Sequence, residues 1–214
     1  MPLTIGINDK SITRPTIPIT VPRIRFSHII QKHIPMPKTN APATPKVVSK
    51  MFGKLKNLFG GDSGIEVTAP VAGKVVALED VPDPTFAQGI LGPGIAIEPA
   101  EGRIVAPADG TVDVMFETGH AVSMTTADGA ELLIHVGIDT VSLKGQHYTA
   151  KCKSGDTVRK GDTLIEFDID AIREAGYEVV TPVIVCNPDA FASVKTEGAG
   201  SVQAGDDLLT LEKK

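Results

Sequence analysis

The residues that could do chemistry are mostly histidines. There are five: His28, His33, His120, His135 and His147. His28 and His33 sit in a proline-rich basic stretch, and His147 follows Gly145-Gln146 in a loop where a surface position is expected. His135 lies in Glu131-Leu-Leu-Ile-His135-Val-Gly-Ile-Asp139. Strand alternation puts Leu133, His135 and Gly137 on one face, and Ile134, Val136 and Ile138 on the core face. His120 lies upstream in Phe116-Glu-Thr118-Gly119-His120-Ala-Val, and Asp128-Gly129 between them is a hairpin signal. If 121–125 and 131–135 pair about that turn, residue numbers across the hairpin sum to about 256. His120 then falls opposite Val136, beside His135. A functional pair and a structural pair both fit these residues.

Several chemistries lack their parts. A zinc site needs three or four ligands. H-E-x-x-H, H-x-H and a nearby cysteine are absent. No isolated metal site is expected, although a partner's ligand could complete one on His120 and His135. The chain has no G-x-S-x-G elbow, no P-loop and no G-x-G-x-x-G. Cys152 and Cys186 make neither a disulfide framework nor a C-x-x-C pair. Imidazole remains as a nucleophile. One neutral histidine could take a phosphoryl group while the other donates hydrogen bonds to its oxygens.

The elements that must hold the pair are strands. From Ile65 onward, short β-type runs are cut by Gly, Pro and Asp. The expected strands are 65–68, 74–77, 95–98, 103–105, 110–115, 121–125, 131–136, 163–167, 179–185 and 207–211. Their spacing predicts an all-β antiparallel sandwich or barrel, with short helices only at 81–88 and 170–175. Two repeats point to duplicated hairpins. A-P-x-x-G-x-V occurs at Ala69–Val75 and Ala106–Val112, and V-x-x-G-D-x-L at Val158–Leu164 and Val202–Leu208. Biotinyl and lipoyl carriers use similar hairpins, but Lys74, Lys144 and Lys195 lack the M-K-M or D-K-A context of a modified lysine. A zinc peptidase on a duplicated β framework would need H-x-x-x-D together with H-x-H; His135–Asp139 has the first spacing, but H-x-H does not occur.

The chain's charge divides near residue 50. Its 214 residues carry a formal −5, but residues 1–50 hold eight basic residues and one acid, +7. The other 164 residues hold 13 basic and 25 acidic residues, −12. Eight prolines in residues 1–50 predict a disordered extension. Extra sequence from an early start codon would account for it, because Met51 opens a segment that reads like an N-terminus. Apolar Met51, Phe52, Leu55, Leu58 and Phe59 fall on one face of a short basic helix ended by Gly60-Gly61. Within this segment, 51–61, residues 51–59 could lie weakly on an anionic membrane surface. No apolar run is long enough to span a membrane. The acidic body has no basic stripe, so no nucleic acid is expected as a partner. With no Trp and few aromatics, its core must be Val, Ile, Leu and Ala.

Residues 51–214 resemble the glucose-type enzyme IIA component of the phosphoenolpyruvate-dependent phosphotransferase system. The matching stretches are Ile65–Gly73, Glu79–Asp83, Phe86-Ala87, Gly94–Ile97, Phe116–Ala121, His135–Thr140 and Gly161-Asp162. They run in order through nearly all of 62–214, the expected functional domain. The resemblance implies a β-sandwich phosphocarrier in the cytoplasm, a monomer without cofactor. It also implies that His135 is phosphorylated on Nε2, that His120 contacts the phosphoryl oxygens, that Thr118 hydrogen-bonds His120 and that the Gly137 carbonyl orients His135. The implied partners are HPr as donor and the IIB/IIC permease as acceptor, with room for regulatory target proteins. Phe86, Ile90, Leu91, Phe116, Leu133 and Val141 match or neighbour the family's apolar docking surface. Asp83 and Asp139 match acids that meet basic residues on HPr. Two departures concern partner preference: Gly119 replaces a polar residue, and Pro84-Thr85 replaces small apolar ones.

Overall fold

A computed structural model of the chain describes residues 64–197 and 200–214. The expectations for the arm 1–50 and the segment 51–61 lie outside the described residues. In chain order the strands are β1 Ile65–Thr68, β2 Gly73–Val76, β3 Gly94–Pro99, β4 Arg103–Val105, β5 Gly110–Met115, β6 Ala121–Thr126 and β7 Glu131–His135. β8 Tyr148–Ala150, β9 Thr157–Val158, β10 Thr163–Phe167, β11 Thr181–Val185, β12 Phe191–Thr196, β13 Ser201–Val202 and β14 Asp207–Lys213 follow. They form three antiparallel sheets: β13-β2-β3-β11-β7-β6-β5-β9, β1-β14-β12 and β4-β10-β8. The helices are short, as expected. α1 is Pro84–Ala87 and α2 is Ile169–Glu174, with single 3-10 turns at Leu78–Asp80, Thr140–Leu143 and Pro188–Ala190. The all-β reading holds.

The sequence repeats are structural repeats. The two A-P-x-x-G-x-V units lie against each other and exchange equivalent bonds. Thr68 N–H donates to the Pro107 carbonyl (3.1 Å), and Val105 N–H to the Pro70 carbonyl (2.8 Å). Each unit then meets one V-x-x-G-D-x-L turn. Ala69 N–H donates to the Asp206 carbonyl and Ala106 N–H to the Asp162 carbonyl, both at 2.8 Å. In both turns the aspartate carboxylate caps a backbone amide, Asp162 taking Arg159 N–H and Asp206 taking Gln203 N–H. Proline and the Gly-Asp turn thus set where each strand starts.

The main core is aliphatic. Ile97, Ile104, Leu132, Ile134, Leu164, Ile165, Ile172, Leu208, Leu209 and Leu211 are fully buried, with Met124 among them. Truncating such a side chain loses transfer energy and leaves a cavity. Ile134→Ala is therefore expected to cost about 2–5 kcal/mol in urea denaturation; a loss below about 1 kcal/mol would contradict its place in the core.

A smaller cluster matters more for the site: Leu78, Val81, Phe86, Ala96, Ile138, Val180 and Ile184, with Leu91 and Leu133 packed against it. Here one expectation is corrected. Ile138 does not join Ile134 and Val136 in the main core but lies in this cluster. The cause is Gly137, at φ +81°, which ends the strand alternation after His135. The helix expected over 81–88 is also shorter. Pro82 and Pro84 prevent it from starting early; it begins at Pro84, with Asp83 as N-cap accepting Thr85 N–H at 2.6 Å.

Candidate functional site

The β6–β7 hairpin brings the two histidines together. Its register is Ala121 opposite His135 and Val122 opposite Ile134, as the sum of 256 requires. One step further, Val136 N–H donates to the His120 carbonyl at 2.7 Å. The two rings are 4.9 Å apart between centroids and nearly perpendicular. Across the sheet, Val183 of β11 stands opposite Ile134, so the same register puts Pro182 opposite His135. Even-numbered residues of β11 face β7, as the bond from Cys186 N–H to the Glu131 carbonyl shows. Pro182 has no N–H to give, so the ladder stops there and the chain after His135 is free to turn.

That turn orients His135. The Gly137 carbonyl lies 2.7 Å from Nδ1 of His135. A carbonyl only accepts, so Nδ1 carries the proton and the Nε2 lone pair of the neutral ring is left free. Gly137 is required at this point on two counts. Its φ is left-handed, and an added Cβ would come within 2.6 Å of both the Glu178 carbonyl oxygen and Thr140 Cγ2. Ile138 N–H donates to that same Glu178 carbonyl at 3.0 Å. This fixes the peptide plane to which the Gly137 carbonyl belongs.

His120 is held differently. Its Nδ1 hydrogen-bonds the Thr118 hydroxyl, and the Phe116 ring packs edge-on at 5.6 Å. Gly119 between Thr118 and His120 is buried and left-handed (φ +66°), and a Cβ there would lie 3.2 Å from Tyr148 Cβ. The departure at this position is thus matched by Tyr148 lying over it.

Burial sets the charge state. His120 is 4% exposed, and burial, helped by the neighbouring His135, lowers its pKa from 6.5 to about 3. His135 is also lowered by burial; the Gly137 carbonyl and the acids Asp83 and Asp139 pull the other way without overcoming it. Both imidazoles are therefore neutral at pH 7. Below pH 6.5 an unfolded histidine takes up a proton that folded His120 refuses. Stability consequently falls as pH drops from 6.5 towards 3, and His120 alone withdraws about 2 kcal/mol between pH 7 and pH 5. Urea denaturation at the two pH values should show His120→Gln losing about 2 kcal/mol less than the parent; equal losses would refute the buried neutral state.

The remaining residues singled out in the sequence differ in burial. Phe86, carried by α1, sets its ring 5.3 Å from His135. Leu91 and Leu133 are half-buried against the same small cluster. Ile90 (66% exposed) and Val141 (43% exposed) are the large apolar side chains left in solvent among the described residues. Asp83 is half-buried at the α1 N-terminus, and Asp139 is exposed with a left-handed backbone. His147 is exposed and takes no part. Sequence reasoning missed Thr140, Tyr148 and the Glu178 carbonyl. Among the described residues no group of three or more His, Cys, Asp or Glu side chains is placed to hold a metal ion. No helix among them is long and apolar enough to cross a membrane.

Residues 65–191 match the family model described as phosphoenolpyruvate-dependent sugar phosphotransferase system, EIIA 1. The chain belongs to this family. It is thus a phosphotransferase component of a sugar-transport system. Relatives include the glucose-specific EIIA component of Halalkalibacterium halodurans, 44% identical over 167 residues that cover 77% of this chain and 96% of the relative. The beta-glucoside-specific EIIBCA component of Bacillus subtilis is 47% identical over 145 residues, 68% of this chain. The chain spans about a quarter of the length of that relative, 24%. Among solved structures, glucose permease IIA from Mycoplasma capricolum superposes with a TM-score of 0.64 at 30% identity, covering 71% of this chain and 98% of the other. The family's EIIA unit therefore occurs both as a separate component and within a longer EIIBCA chain.

Proposed function

We propose that residues 62–214 form a cytoplasmic phosphocarrier that takes a phosphoryl group from phospho-HPr onto Nε2 of His135. It then passes the group to a cysteine on the IIB domain of a glucose-type sugar permease. The observation that carries this reading is the neutral pair itself: His135 with Nδ1–H tied to the Gly137 carbonyl, 4.9 Å from a second neutral ring.

The steps balance without a co-reactant. The Nε2 lone pair attacks phosphorus as the P–N bond of phosphohistidine on HPr breaks, and that electron pair returns to the HPr imidazole. In the second step a IIB thiolate attacks, the P–Nε2 bond breaks and His135 recovers its lone pair. No proton need move at His135, because the Gly137 carbonyl holds Nδ1–H throughout. When the Thr118 hydroxyl donates to Nδ1 of His120, the proton of that ring sits on Nε2. It then points a donor at the phosphoryl oxygens, where charge develops during transfer. The apolar face of Phe86, Ile90, Leu91, Phe116, Leu133 and Val141 supplies the docking surface. Asp83 and Asp139 flank the acceptor and suit a donor with a basic rim.

The test is a relay. Incubation with labelled phosphoenolpyruvate, enzyme I and HPr should leave acid-labile label on the chain, and a glucose-type IIB domain should then discharge it. A chain that stays unlabelled under conditions that phosphorylate HPr refutes the proposal.

A further inference from the structure

The Val136 carbonyl lies between the nucleophile and the residue that orients it, and it accepts two hydroxyl bonds. Thr140 Oγ1 donates to it at 2.8 Å and Tyr148 Oη at 3.0 Å. Both of its lone pairs are thereby used. Thr140 is fully buried. The phenol of Tyr148 is half-buried, and burial pushes its pKa up to about 12, so it stays a donor at neutral pH. These bonds fix the Val136–Gly137 peptide plane, while the Glu178 carbonyl fixes the Gly137–Ile138 plane. The two planes meet at the Gly137 Cα. Gly137 has no side chain to restrain that joint, so without the hydroxyls the first plane is loosened, the Ile138 N–H bond alone holds the second, and the Gly137 carbonyl is placed less firmly on Nδ1.

From this geometry we infer that Thr140, assisted by Tyr148, is a positioning residue for phosphoryl transfer, holding the Val136–Gly137 peptide so that the Gly137 carbonyl selects the Nδ1–H form of His135. The inference rests on the reading of His135 as the phosphoryl acceptor. Its chemistry is general: a nucleophilic imidazole needs its lone pair on the attacking nitrogen, and here the carbonyl at Nδ1 enforces that. Tyr148 adds a link between the two halves of the site, because its Cβ also packs at Gly119, next to His120.

The experiment compares Thr140→Val, Thr140→Ser and Tyr148→Phe with the parent chain. Val keeps the shape of Thr and removes the hydroxyl; Ser keeps the hydroxyl; Phe keeps the ring that stacks on Phe167 at 6.3 Å. Two readouts are taken. One is the His135 tautomer in the unphosphorylated protein, from long-range 1H–15N correlations. The other is the loading rate at saturating phospho-HPr, with the half-saturating HPr concentration. Thr140→Val should move His135 away from the Nδ1–H form and slow saturated loading about 10-fold, leaving half-saturation unchanged. Thr140→Ser should restore the parent tautomer and a rate within about 2-fold, and Tyr148→Phe should slow loading about 3-fold. The inference is overturned if folded Thr140→Val keeps both parent tautomer and parent rate, or if Ser is as slow as Val. Should Thr140→Val fail to fold, Tyr148→Phe decides: an unchanged tautomer and rate overturn the inference. A parent chain that never labels at His135 would sink the proposed function, and the tautomer readout would still show whether Thr140 sets the ring.

Discussion

His135→Gln is expected to accept no phosphoryl group from phospho-HPr. The glutamine amide is close to imidazole in reach and its N–H can still meet the Gly137 carbonyl, so the fold should persist. Its nitrogen lone pair is delocalised into the carbonyl and cannot attack phosphorus. Among the described residues no other is placed to substitute. His120 is adjacent, but its Nδ1 is engaged by Thr118 and it lies 4% exposed. Burial also disfavours the cationic imidazolium that an uncompensated attack would create. The loss should be total within detection, while the urea midpoint stays near that of the parent. Label persisting on His135→Gln would show that another residue is the acceptor.

His120→Gln should behave differently. The variant keeps the nucleophile and its orienting carbonyl, so label should still accumulate on His135, only more slowly. What it loses is a rigid donor aimed at the phosphoryl oxygens. His120 is fixed by Thr118 on Nδ1 and by the Phe116 edge, so its donor needs no reorganisation as charge builds up in the transition state. A flexible glutamine amide cannot match that. Removing one such preorganised donor costs about 10²–10³ in rate, and discharge to a IIB domain should slow by that amount. Single-turnover discharge from preloaded protein measures it directly. Discharge at the parent rate would remove His120 from the chemistry and leave it a packing residue.

Much of this site was legible because it hangs on one hairpin. Asp128-Gly129 and the alternation around His135 are local signals, and together they specify the Ala121–His135 register. The two repeats likewise announced the paired turns at Asp162 and Asp206. What stayed hidden was non-local. β12 is Phe-Ala-Ser-Val-Lys-Thr, too polar to read as a strand, and exists because β14 offers it a partner. β8, β9 and β13 are two or three residues long and carry no period of their own. Ile138 lies off the face that alternation predicts, because alternation assumes a regular backbone and Gly137 breaks it. Thr140 and Tyr148 gave no signal because each acts through a carbonyl, and a carbonyl has no residue type. Pro182 could have been read: a proline within an apolar run argues against continuous pairing, and here it ends the ladder beside the nucleophile.

The central claim is atomic: the phosphoryl group resides on Nε2 of His135. The direct measurement is a long-range 1H–15N correlation spectrum of the histidine-labelled chain after loading from phosphoenolpyruvate through enzyme I and HPr. The expected result is one perturbed imidazole, absent in His135→Gln, with phosphorus coupling at Nε2 and the proton retained on Nδ1. Phosphorus coupled to Nδ1, or to the ring of His120, would contradict it.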